Sequence, residues 1–124
     1  MAEPSEKQPE SAAGQAKEQE RRQFRRIATR IEGRIVFAGV DAECLVHEMS
    51  VSGAIVEVMP LPALGAGIAL DVPEVGFARG IAMRYPEPHL VSIELATPPA
   101  RRDRLTDKLI LAAFRHPPLP ASDE

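Results

Sequence analysis

The stretch "RIEGRIVFAGVDAECLVHEM", residues 30–49, decides the fold through its alternation. Ile31, Ile35 and Phe37 fall on one side of an extended chain, with Arg30, Glu32 and Arg34 on the other. A period of two is what a half-buried β-strand requires, because successive side chains point to opposite faces. Ala38 to Asp41, with Gly39 inside it, reads as a turn, and Glu43 to Met49 as a second strand.

Downstream the pattern repeats at intervals of roughly ten residues. Ala54, Val56 and Val58 alternate in a third strand ended by "MPLP", and Ile68, Leu70 and Val72 in a fourth ended by Pro73. Phe77 to Arg84 is a fifth, "YPEP" a turn, and Leu90 to Leu95 a sixth. Six short strands favour closure, which hides the unpaired edges that an open sheet leaves. The fold predicted is mainly β: a small six-stranded antiparallel barrel over residues 30–96.

After the sixth strand the period changes. Thr97 is placed as a helix N-cap with Pro98 at the first helical position. Leu105, Leu109 and Ala113, with Ile110 and Phe114 beside them, form the expected apolar stripe of a helix over 98–115 that closes the fold. His116 and Pro117 mark its end.

Upstream the composition is different in kind. Residues 1–19, "MAEPSEKQPESAAGQAKEQ", hold no large apolar side chain beyond the initial Met and cannot bury enough surface to offset ordering entropy. They are expected to be a disordered acidic tail, as are the Pro-rich residues 117–124. The sign of the charge reverses at Arg21: residues 1–20 carry five Glu against two Lys, and residues 21–34 six Arg against one Glu. Residues 20–29 are thus an arginine-rich, flexible segment leading into a single domain, 20–116.

The totals fit one small domain. The chain has 124 residues, 44% of them apolar, with no Trp, one Tyr and four Phe, so the core must come from Val, Ile, Leu and Ala. A net charge of −3 argues against a general nucleic-acid coat, which would be basic throughout. The one cysteine, Cys44, excludes an internal disulfide and fits a reducing compartment, and no apolar run approaches the length of a membrane span. "RRQF" is followed by "RRIATRIEGR" instead of the apolar segment of an export signal, so a cytoplasmic protein is expected. His47, His89 and His116 are too far apart to suggest a metal site, and Cys44 reads as a small buried residue. No nucleophile-base pair or glycine-rich phosphate loop is present, so catalysis is not expected.

Two stretches could carry chemistry. "RRQFRRIATR", residues 21–30, contains five arginines and no lysine. The guanidinium fork matches phosphate oxygens and the O6/N7 edge of guanine, which a lysine point charge does less well; the plain alternative is a solvated basic linker. "EMSVSG", residues 48–53, lies where the second strand turns into the third. Strict alternation puts Glu48 and Ser50 on the same side, and Gly53 lets the backbone turn or approach a ligand; alone, such a stretch is merely a turn.

Taken together, Arg22-Gln-Phe-Arg-Arg26 and Glu48-Met-Ser50-Val-Ser-Gly53 resemble the two motifs of the PilZ domain family, R-x-x-x-R ahead of the first strand and [D/N]-x-S-x-x-G on the barrel. The resemblance covers Arg21 to Phe114 and departs from the family at Glu48, where the family has Asp or Asn. It implies a bacterial receptor for the second messenger cyclic di-GMP. Arg22 and Arg26 would grip phosphates and guanine edges, Glu48 and Ser50 would read a guanine, and Gly53 would keep the turn open. Arg21 and Arg25 are additional, and one of the two would stack on a base or help hold a self-stacked pair of ligand molecules; Arg21 is counted among the ligand-binding residues. The family's mode further implies an arm that orders over the ligand and a signal passed to a separate protein effector. Two alternatives stand beside this: a barrel with an arginine-rich arm that binds RNA or single-stranded nucleic acid, and a degenerate family member that acts through protein partners without ligand.

Overall fold

The computed structural model describes residues 24–119. The expected tail 1–19, Arg21, Arg22 and residues 120–124 lie outside the described residues. Residues 117–119 are exposed and have no regular secondary structure.

Six antiparallel strands form a closed barrel in the order β1-β2-β3-β6-β5-β4. They are β1 (Ile27–Phe37), β2 (Val40–Met49), β3 (Gly53–Glu57), β4 (Gly67–Val72), β5 (Gly76–Arg84) and β6 (Leu90–Leu95), followed by one helix, α1 (Pro99–Arg115). β1 begins at Ile27, so Ile27, Ala28 and Thr29 of the expected arm are strand.

The alternation of β1 is what closes the barrel. Thr29, Ile31, Gly33, Ile35 and Phe37 are buried while the residues between them are exposed. The strand pairs with β2 along its length, and Arg34, Ile35 and Val36 pair with Asp71, Leu70 and Ala69 of β4. At Gly33 the two neighbouring strands press close: a Cβ there would stand 2.6 Å from the Asp71 carbonyl oxygen, so closure at this point needs glycine. The barrel interior is filled by β-branched and aliphatic side chains, with Ile35, Val46, Val56, Leu70 and Val91 removed from solvent.

Two bulges distort the ladder near one end of the barrel. Between β2 and β3 the register slips at His47, since Val46 pairs with Val56 but Glu48 with Ile55. Between β1 and β2 it slips after Ala28, which pairs with Glu48, whereas Ile31 pairs with Val46. A bulge leaves backbone groups without a ladder partner. Here the C-cap residue of α1 supplies one: the Arg30 N–H donates to the His116 carbonyl at 2.8 Å, and the Thr29 hydroxyl donates to the same oxygen at 3.1 Å.

The helix departs from its sequence reading in two respects. Pro98 occupies the N-cap position, one residue later than the Thr97 cap expected, and no side chain caps the end. The buried residues are Leu105, Thr106, Leu109 and Ala112, so Leu105 and Leu109 face the barrel as expected but Ile110 and Phe114 do not. Phe114 is 85% exposed. At about 3.6 residues per turn it stands roughly half a turn around the helix from Leu105, too far to share its stripe. At the other end of α1, Glu74 of the β4–β5 turn accepts from Arg115 Nη1 at 2.9 Å and lies 3.3 Å from His116 Nε2.

Candidate functional site

The arm and the β2–β3 hairpin meet because of the β1–β2 register. Ile27 pairs with Met49, which places the residues just before β1 beside the last residues of β2 and the turn that follows. Arg26 is thereby carried to the mouth of the hairpin. Its Nη1 is 3.9 Å from Glu48 Oε1, a loose ion pair between half-exposed groups. Its Nη2 lies where a Cβ on Gly53 would come within 3.2 Å, and the same Cβ would stand 3.2 Å from the Ile93 carbonyl oxygen. The glycine therefore gives the guanidinium a seat against bare backbone.

Glu48 and Ser50 do not share a face. β2 ends at Met49, which is buried, so Ser50 belongs to the turn and not to the alternation of the strand, and Glu48 is left half-exposed. Ser50 is only 1% exposed, and its polar atoms are used within the hairpin. Its N–H donates to the Gly53 carbonyl at 2.8 Å, and its Oγ accepts from the Ser52 N–H at 3.1 Å. The Leu95 N–H donates to the Ser52 carbonyl at 2.9 Å, tying the turn to β6. Ser50 holds the shape of the turn, which is a local hydroxyl-to-backbone role. Of the residues singled out from sequence, the structure brings Arg26, Glu48 and Gly53 together and places Ser50 beneath them. Arg21 and Arg22 lie outside the described residues.

Two further residues belong to this neighbourhood. A cavity of about 310 Å³ beside the hairpin is lined by Phe24, Val51, Ser52, Thr97, Pro98 and Arg102. The Arg102 guanidinium carbon lies 5.1 Å from the centroid of the Phe24 ring, within cation–π range. Arg102 lies far downstream of the hairpin, and no spacing signal in the sequence links the two. A smaller cavity of about 220 Å³, also bordered by Pro98, includes Arg79, Arg101 and Phe77. The first turn of α1 has no acidic residue and carries Arg101 and Arg102, whereas a helix N-terminus favours anions. Positive charge thus accumulates beside the hairpin from two elements.

A larger cavity of about 640 Å³ elsewhere on the barrel is lined by Arg30 and Arg34 but also by Glu32, Glu43, Glu57 and Asp71. Arg34 is engaged by Asp41 at 3.0 Å. With carboxylates in excess, that surface disfavours an anionic ligand. Cys44 also lines it, and burial pushes its thiol up from 9.0 to about 11, so it is a neutral thiol at physiological pH. Among the described residues, no group of three or more His, Cys, Asp or Glu could hold a metal ion, and no helix is long and apolar enough to cross a membrane.

Comparison with known proteins gave no match to any family model and none to a curated protein.

Proposed function

We propose that the protein is a cyclic di-GMP receptor of the PilZ type that acts in the bacterial cytoplasm by binding, without catalysis, and relays the signal to a separate protein effector. The observation that carries this reading is the seat of Arg26. The second arginine of R-x-x-x-R and the first and last residues of the barrel motif are far apart in the chain, and the β1–β2 register sets them against one another.

The chemistry follows from the groups at that seat. The Arg26 guanidinium faces the Glu48 carboxylate. A phosphate or guanine edge offers the guanidinium a bidentate partner in place of one loose contact. Glu48, released, can accept from the N1–H and N2–H donors of a guanine. Ser50 acts through the turn, and Arg22 supplies the second fork from outside the described residues. Ligand binding draws the arm over the dinucleotide, and the changed surface is what an effector reads.

The test is calorimetric titration of the full chain with cyclic di-GMP, with linear diguanylate and cyclic di-AMP as controls. A bidentate arginine–guanine contact discriminates by about 1–3 kcal/mol, so Arg26→Ala should weaken binding about 5- to 150-fold while leaving the fold intact. Wild-type protein silent to cyclic di-GMP, or one that binds linear diguanylate equally well, would remove the receptor reading. Affinity for single-stranded RNA that falls steeply with salt would instead favour the nucleic-acid alternative.

A further inference from the structure

Phe24 stands midway between Arg22 and Arg26, and it is not a core residue: 39% of its surface is exposed. What holds it is Arg102, whose guanidinium lies over the ring from the first turns of α1. Arg102 gains nothing from the helix at that position, because a cation near the N-terminus opposes the macrodipole. An aromatic face is a compensating partner. The pair also walls one cavity together with Val51 and Ser52, the two residues between Ser50 and Gly53, so the contact sits on the hairpin that seats Arg26.

We infer that Arg102 is a positioning residue for the dinucleotide site: by clasping Phe24 it docks the arm on the barrel before ligand arrives. This rests on the receptor reading above for its purpose, though not for its geometry. Phe24 is two residues from Arg26 and two from Arg22. Two peptide units span at most about 7 Å, so a fixed Phe24 limits how far the backbone of Arg26 can stray from the hairpin. A site whose competent arrangement is already populated binds more tightly by the fraction populated. The ligand then meets an arm that has lost part of its freedom in advance.

The experiment pairs amide hydrogen exchange of the ligand-free full chain with cyclic di-GMP titration, for wild type, Arg102→Gln, Arg102→Lys, Phe24→Leu and Phe24→Tyr. Arg102→Gln and Phe24→Leu should each speed exchange at residues 24–28 and weaken binding about 2- to 5-fold, the range of an exposed cation–π contact. The double variant should be no worse than either single one, because one contact is lost in both. Arg102→Lys and Phe24→Tyr keep a cation and a π face and should retain wild-type exchange. Unchanged exchange in both Arg102→Gln and Phe24→Leu, with wild-type binding intact, overturns the clasp and leaves the receptor standing. Faster exchange in both, with wild-type protein that binds no cyclic di-GMP, sustains the clasp and removes the receptor. Circular dichroism melts on each variant identify any loss that comes from unfolding.

Discussion

Thr29 and His116 are joined across the fold: the Thr29 hydroxyl and the neighbouring Arg30 N–H converge on the His116 carbonyl at the end of α1. The strand that follows the arginine arm is thereby fastened to the last turn of the closing helix. Thr29→Val keeps the shape of the side chain and removes the donor. Because Arg30 still satisfies the carbonyl, the loss should be that of one ordinary hydrogen bond, about 1 kcal/mol. Urea unfolding checks it; a loss above about 3 kcal/mol would show that the helix end depends on the hydroxyl alone.

Gly53→Ala separates stability from function. The added Cβ would press on the Ile93 carbonyl and on the Arg26 guanidinium, each at 3.2 Å. The Ile93 carbonyl must give by a few tenths of an ångström, which should cost about 1–3 kcal/mol, while the arginine is pushed from its seat. Affinity for cyclic di-GMP should fall by about ten-fold or more. Calorimetry and urea melts on the same sample distinguish the two effects, and full affinity in Gly53→Ala would contradict the placement of Arg26.

Glu74 predicts a pH dependence with a definite sign. Its hydrogen bonds from His116 and Arg115 hold its carboxyl below the ordinary value of 4.5. A carboxylate depressed in the folded state stabilises above its unfolded pKa, and that contribution is lost as pH falls through the folded value. The stability difference between wild type and Glu74→Gln should therefore be constant near neutrality and shrink below about pH 4.5. Melts at pH 7 and pH 3.5 measure it. A difference that widens in acid would place the stabilising partner elsewhere.

Cys44 has the opposite sign. Burial raises its thiol from 9.0 to about 11, so folding favours the protonated form and stability declines as pH rises between those two values. At pH 7.5 the native protein should resist iodoacetamide, and denaturant should expose a thiol that reacts readily. Rapid alkylation without denaturant would show that the β1–β2 ladder opens around it.

The barrel was legible because β1 obeys its period without interruption from Thr29 to Phe37: each inward side chain is apolar or small, and each outward one is polar or exposed. The hairpin was less so. A bulge is a property of two strands together, and nothing in "HEMS" alone announces that β3 will pair with Glu48 one step out of register. Strict alternation puts Glu48 and Ser50 on one face only if the strand runs on through Ser50, whereas β2 ends at Met49 and Ser50 is part of the turn. The helix misled for a different reason. Ile110 and Phe114 are four apart and apolar, which mimics a core stripe, but the stripe that packs is set by Leu105, Leu109 and Ala112. Arg102 carried no local signal, since its partner Phe24 comes to it only through the closed barrel.

The bond between Thr29 and His116 spans 87 residues of chain. At about 5–20 residues per second, a translating ribosome needs roughly 4 to 17 s to make the second partner after the first. For that interval the start of β1, with the arm that precedes it, exists without the anchor that later fixes it. The contact with His116 is therefore among the last that β1 can make, and truncation anywhere before His116 removes it while leaving the pairing of β1 with β2 and β4 in place.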